Sequence, residues 1–552
     1  MADATSLSDT ASTKSHDKPI RREDIGRTGG VGETKRQLKP RHLQMIGFGG
    51  AIGTGLFIGS GLSLAKVGPV ALFLAYCIIG TLLFAVMECL GELSTNYPGS
   101  GSFPHFAGRF IDPAAGFALG ISYFYGNALG FANDLSAVCI LVDYWPNNIP
   151  TAALISIFYA GALIVAFCPV RYFGEIEFVT AGLKVFAFIL IIIVGLVIDL
   201  GGAPNHDRLG FRYWRDSPWV QYNGIEGPLG RFASVVAAFV GAAFTYLGTE
   251  TMVLAAGESK NPLREIPRAI KKVAYRILFF YIGGIFLVTV LVPSYEPRLK
   301  SGGTAASPFV IAIQNGGIKV LPHILNALFI MSAWSAGNSY AYTASRTLYS
   351  MALSGRVPKV FAKVLPNGVP FVSVILSMAF GSLAYLSVSS GPAQVFSWLQ
   401  NINAVSGLLN WGIICLCWIR FNRARNLQGV PRSSLPYQGR FLPYLGWYGL
   451  ITSWIIAIIS GFSVFLRGNW SVSNFFAAYI SVAIYIALYL GWKLWHKTKL
   501  IHLADIDLDS GRGAIIADDG VLSIEEEKRK ADELARRALE SSPWHKFLDW
   551  LL

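Results

Sequence analysis

Two stretches of the chain place polar chemistry inside apolar sequence. The first, Gly47-Phe48-Gly49-Gly50-Ala51-Ile52-Gly53-Thr54-Gly55-Leu56-Phe57-Ile58-Gly59-Ser60-Gly61, holds seven glycines. A helical glycine costs about 1 kcal/mol relative to alanine, so this is poor design for an ordinary helix. Close packing of the small-xxx-small kind would set the glycines along one face. Gly53 and Gly55 flank Thr54 and do not share a face, which favours an unwound segment. The second stretch, Phe239-Val240-Gly241-Ala242-Ala243-Phe244-Thr245-Tyr246-Leu247-Gly248-Thr249-Glu250, sets a glycine and an acid within another apolar run. An ionisable group at mid-membrane depth costs at least about 2.5 kcal/mol and marks a functional position.

Non-helical backbone is tolerated in a bilayer only where it lines a cavity or is buried in protein. A break exposes amide N–H groups at the start of one half-helix and carbonyls at the end of the other. Together they complement a zwitterion, the amides facing a carboxylate and the carbonyls an ammonium. Glu250 is a candidate proton carrier beside the second break, or else a structural hydrogen-bond partner of the first span's backbone. Lys184 falls about nine residues into a third apolar run, at roughly 13 Å depth by helical rise. It either snorkels to the interface or is buried and titratable. Glu88 and Glu92 lie one turn apart and read as gate or structural contacts.

The elements that must position these residues follow from composition. Of 552 residues, 53% are hydrophobic and 14% charged, and the mean hydropathy is +0.47. A soluble domain carries about a quarter of charged residues. By the length rule for spans, about twelve apolar segments lie near 43–65, 70–96, 114–142, 150–170, 176–199, 231–256, 274–293, 320–350, 370–389, 395–420, 443–466 and 473–496. The paired breaks, in spans one and six, are what an inverted repeat of five-helix units would produce. Polar residues 1–41 read as a disordered tail with no apolar core for a cleavable signal, so the first span serves as its own insertion signal. Residues 499–552 return to high charge, and 524–539 have the spacing of a helix with an alanine-rich face.

The net charge of +13 is distributed between apolar runs, which points to membrane orientation and anionic lipid, not nucleic acid. Basic clusters at Lys35–Arg41, Lys260–Lys272, Arg356–Lys363 and Arg420–Arg425 fall on one side of an even number of spans. That puts both tails in the cytoplasm. Arg208, Arg212, Arg215, Arg298, Lys300 and Lys319 are discordant. The six cysteines suggest neither a disulfide framework nor a zinc site. No Walker sequence, His-Glu-x-x-His or Gly-x-Ser-x-Gly appears, so neither ATP nor a hydrolase site is evident, and no metal or cofactor is expected.

The motifs, taken together, carry a resemblance. Gly50-Ala51-Ile52-Gly53-Thr54-Gly55-Leu56-Phe57 resembles the signature of amino-acid permeases of the amino acid–polyamine–organocation superfamily. Glu88-Cys89-Leu90-Gly91-Glu92, Tyr97–Phe103, Gly248-Thr249-Glu250, Ala256–Pro262, Ile266–Ala269, Ser335-Ala336-Gly337-Asn338 and Ala344–Tyr349 are similar to its fungal branch, the yeast amino acid transporters. The match runs from about 38 to 500, and 42–498 is read as one permease domain. The resemblance implies an all-α, LeuT-like fold: ten core helices in two inverted five-helix repeats, two further helices, and helices one and six broken. It implies that Ala51, Ile52, Gly53, Thr54 and Gly55 face a substrate carboxylate. Phe244, Thr245 and Leu247 line up with the broken part of span six, Phe244 as an aromatic lid or, alternatively, lipid-facing packing. Ser335 and Asn338 belong to the same expected site. Lys184 resembles the lysine of proton-coupled relatives, a titrating group or a static tether. Asp134 stands where fungal relatives usually have Glu and, with Asn127, implies a different pocket polarity. The implied function is proton-coupled import of L-amino acids across the plasma membrane by alternating access, with a permease-like sensor or an exchanger as alternatives. Lys14, Lys18 and Lys35 suggest a ubiquitin ligase adaptor as a partner of the tails.

Overall fold

A computed structural model describes residues 53–97, 102–253, 262–299 and 307–509. Among the described residues every regular element is a helix. The long ones are α1 (Gly55–Val67), α2 (Pro69–Asn96), α3 (Pro113–Val142), α4 (Thr151–Phe167), α5 (Val170–Asp199), α6 (Gly227–Tyr246), α7 (Leu263–Leu291), α8 (Leu321–Leu353), α9 (Phe371–Ser390), α10 (Pro392–Leu427), α11 (Tyr444–Phe465) and α12 (Val472–His496). Each coincides with an apolar segment of the sequence. Nine of the described helices, with α6 counted through Val253, are long and apolar enough to cross a membrane. The helices α1 and α4 are shorter, and α8 carries too many polar residues to reach the same hydropathy. The two tails, including the 524–539 helix expected from spacing, lie outside the described residues.

Helix starts follow local chemistry. Proline occupies the first turn of α2, α3 and α10, where its missing N–H removes no intrahelical bond. Asp112 caps α3, its carboxylate accepting the Ala114 and Ala115 N–H groups. The same carboxylate accepts from Lys493 Nζ at 2.9 Å and so ties the end of α12 to the start of α3.

Burial sorts the helices into layers. The most apolar stretch of α3 is 94% buried, and those of α10 and α6 follow at 89% and 83%. That of α12 is 17% buried. The inner helices are therefore surrounded by protein and the outer ones present apolar faces outward. Ile157, Ile164, Phe186, Ile193, Leu278, Ile455 and Ile486 form this exposed apolar surface, too extensive for contact with water. The helix α8 packs along α3, and α10 packs against α3 from another side.

The helix α5 begins at Val170, directly after Pro169, and not near residue 176. Polar residues between Val170 and Glu177 hid its first two turns from an apolar-run count. Lys184 is consequently halfway along this 30-residue helix, about 21 Å from its start at 1.5 Å per residue.

Candidate functional site

The second break is directly visible. The helix α6 stops at Tyr246, Leu247 is extended (φ −60°, ψ 151°), and Gly248 has φ +87°. That left-handed conformation is one glycine adopts without steric cost. The Leu247 N–H bonds the Phe244 carbonyl at 3.2 Å instead of continuing the i→i−4 ladder. Thr249 Oγ1 donates to the Tyr246 carbonyl at 2.9 Å, partly satisfying the helix end. Helical turns resume at Thr251. Phe244 and Thr245 thus lie in the last turn of α6, before the break and not within it.

At the other expected break, Gly53 forms a bend, Thr54 starts the helix, and Gly55–Gly59 wind as a π-helix, so Thr54 and Gly55 are wound and not part of an unwound segment; what precedes Gly53 lies outside the described residues. Such widened turns are frequent at functional sites. Gly55 sets the approach of the two helices. A Cβ there would stand 2.7 Å from both Thr245 Cα and Thr245 Oγ1, closer than any real side chain sits. Ala51 and Ile52 lie outside the described residues.

Where the start of α1 faces the α6 break is a small cavity lined by Gly53, Thr54, Gly55, Asp134, Phe244, Thr245, Leu247, Ala336 and Tyr340. Four elements bring polar groups to it. From α1, Thr54 Oγ1 donates to Asp134 Oδ1 of α3 at 2.6 Å, while Asp134 Oδ2 is buried with no hydrogen bond. From α6, Thr245 Oγ1 donates to the Gly241 carbonyl at 2.8 Å and pairs with Tyr76 Oη at 2.7 Å. From α8, Tyr340 lies over Gly130, where a Cβ would stand 2.9 Å from the ring. Phe244 is buried against Phe396, edge to face at 6.1 Å, so its ring closes the cavity and does not face lipid.

Lys184 does not snorkel. Its side chain is fully buried, with Nζ 4.0 Å from Glu177 Oε1, and it feels the charge of Asp134 as well. Glu250 is buried beyond the α6 break, its Oε2 without a hydrogen bond, and it does not line the cavity. Three expected site residues are turned elsewhere. Asn127 Nδ2 donates to the Tyr123 carbonyl at 2.7 Å. Ser335 Oγ donates to Glu177 Oε2 at 2.8 Å and pairs with Thr180 at 2.9 Å. Asn338 lines a different cavity, with Phe173 and Arg346. They share helices with the lining residues, and Asn127 lies two turns from Asp134 on the same face of α3, but none of the three lines this cavity. Glu88 and Glu92 hold the loop after α10: Glu88 Oε2 accepts from Tyr437 Oη and Arg440 N, and Glu92 Oε2 from Arg432 and Gly439 N.

Sequence reasoning did not single out Tyr340, Ala336 or Glu177. Ala336 stands inside the Ser335–Asn338 motif, and Tyr340 follows it at i+4, on the same helical face. Glu177 lies seven residues, or two turns, before Lys184. Those spacings were the available signals.

A cavity at a helix break facing the start of another helix, in a bundle of apolar helices, invites comparison with proteins of known type. The chain matches the amino acid permease family over residues 42–504. The chain belongs to that family. Similar proteins include the dicarboxylic amino acid permease of Saccharomyces cerevisiae, 41% identical over 483 residues, covering 86% of this chain and 79% of that protein. The basic amino-acid permease of the same yeast is 41% identical over 489 residues, covering 88% and 85%. The proline-specific permease of Emericella nidulans is 39% identical over 491 residues, covering 87% and 89%. The apolar helices and the family together make this amino acid permease relative a multi-pass membrane protein.

Proposed function

We propose that the chain imports an L-amino acid across the plasma membrane together with protons, by alternating access around the cavity between α1, α3, α6 and α8. The observation that carries this reading is the cavity where the start of α1 at Thr54 and Gly55 faces the broken end of α6, with the Asp134 carboxylate between them. The relatives' names, which specify dicarboxylic amino acids, basic amino acids and proline, support an amino acid as the cargo class. The buried Lys184 and the carboxylate of Asp134 support a proton as the coupling ion, and Glu250 is retained as a second carrier.

The proposed arrangement is twelve spans, ten of them in two inverted repeats, with both tails in the cytoplasm. The basic ends of α8 and α10 support that orientation. Arg356 packs against Gly108, and Arg420 bonds the Phe110 carbonyl, so these arginines gather at one end of the bundle. At the discordant connections, Arg212 pairs with Asp207 at 2.6 Å and Arg298 with Glu296 at 2.8 Å. The lysines of the N-terminal tail remain proposed contacts for a ubiquitin ligase adaptor. Counterflow of labelled amino acids into proteoliposomes tests the transport reading. Exchange of at least one amino acid is expected, and no exchange across a full panel would overturn it.

A further inference from the structure

Glu177 is a buried carboxylate that the substrate cavity does not use. It lies on α5, two turns from Lys184, and is 1% exposed. An ionisable group is kept at such depth at considerable cost, so its partners indicate its use. One oxygen, Oε2, accepts from Ser335 at 2.8 Å. The other, Oε1, has no hydrogen bond and faces the Lys184 ammonium at 4.0 Å. Among the described residues, the charged groups facing the pair are few. Lys184 shares the helix, and Asp134 of α3 acts on Lys184 from the substrate side; α8 presents only the neutral Ser335 and Ser339.

The cavities add a direction. A second cavity, of about 330 Å³, touches the substrate cavity through Ala336 and Tyr340 and is also lined by Ser339 and Phe173. A third, of about 440 Å³, joins the second at Phe173 and Tyr342, whose rings stack at 4.4 Å, and extends to Arg346. The sequence of groups Asp134, Lys184, Glu177 therefore starts at the substrate cavity and ends at a carboxylate that lines none of the three, but whose partner Ser335 lies one turn of α8 from Ser339 of the second, which leads toward the basic end of α8.

We propose that Glu177 is the proton acceptor of Lys184, the group through which the coupling proton leaves the substrate site toward the cavity bounded by Ser339, Phe173 and Tyr342. This rests on the reading of the chain as a proton-coupled transporter. In the step, a Lys184 Nζ–H bond breaks and a Glu177 Oε1–H bond forms, leaving both groups neutral. The 4.0 Å gap closes by a side-chain adjustment or one bridging water. Glu177 then releases the proton to water in the inner cavity, and Lys184 is recharged from the Asp134 side. One proton crosses per cycle through this pair, and both residues return to their starting charge.

The test compares wild type with Glu177→Gln in proteoliposomes, by counterflow and by accumulation under an imposed pH gradient. Counterflow, which needs no net proton movement, is expected to persist in the variant. Gradient-driven accumulation is expected to fall at least about tenfold, the weight of one pK unit, and to lose its acid stimulation. Accumulation with wild-type pH dependence would overturn the proposal. If Glu177→Gln does not reach the membrane, Glu177→Asp decides: a displaced pH profile with counterflow retained supports it, and an unmoved profile overturns it. Absence of counterflow in wild type would instead sink the transport reading, so the two failures are distinguishable.

Discussion

At Gly55 the backbones of α1 and α6 come so close that the side chain must be a hydrogen. A valine there places its Cβ 2.7 Å from the Thr245 backbone and its methyls inside the cavity. Gly55→Val is expected to abolish uptake while the protein still reaches the surface, measured by transport and surface labelling side by side. Normal uptake would remove Gly55 from the site. Lys184 is the second decisive residue. Its ammonium is fully buried, 4.0 Å from Glu177 Oε1, and feels the charge of Asp134 as well. Lys184→Ala is expected to lose pH-gradient-driven accumulation by about tenfold or more, since an uncompensated pair of buried carboxylates disfavours one charge state by more than one pK unit's worth of energy. An unchanged pH profile would reduce Lys184 to a tether. These residues were legible because a glycine cluster and an isolated charge contradict the apolar sequence around them. Asn127, Ser335 and Asn338 were legible as polar residues in the right helices. Which way each points depends on helix rotation within the bundle, and packing decides that.

Among the elements, the α6 break matters most. Gly248 at φ +87° permits the chain to leave the helix axis and return to it at Thr251. An L-residue in that conformation costs about 1–2 kcal/mol. Gly248→Ala is therefore expected to lower the stability of the purified protein by about that amount and to depress uptake. Thermal unfolding and transport assays measure the two effects, and a variant with unaltered midpoint and uptake would show that the conformation is dispensable. Helix positions themselves were readable from apolar runs, because twenty apolar residues have few alternatives in a bilayer. The exceptions are instructive. The polar first turns of α5 delayed its apparent start, and this misjudged the depth of Lys184. The helix α8 is long but studded with Ser, Asn and Tyr, since its polar faces meet protein on several sides.

For the whole molecule, the segment read as the start of the C-terminal tail is part of the folded body. Residues 499–509 cross one end of the bundle. The Ile501 N–H bonds the Ile111 carbonyl at 3.0 Å, Tyr97 Oη donates to the Leu508 carbonyl at 3.0 Å, and Gln428 Nε2 reaches the Ile506 carbonyl at 2.8 Å. Ile506 and Leu508 are buried. High charge in the surrounding sequence disguised these two apolar anchors. A chain ended after Asp509 keeps both anchors. One ended after Thr498 loses both anchors, each worth about 1.5–3 kcal/mol on burial, and is expected to unfold several degrees lower. Equal midpoints for the two truncations would show that the segment does not brace the bundle.

At this scale too the central claim is tested most directly: that the start of α1 and the α6 break form one amino-acid site. The decisive measurement is a density map of the protein with its transported amino acid bound. The account predicts the backbone carboxylate against the amides near Thr54 and Gly55, and the amino group against the α6 end at Leu247. An amino acid seated elsewhere, or continuous helices through Gly53–Gly55 and Leu247–Thr249 in the bound state, would contradict it.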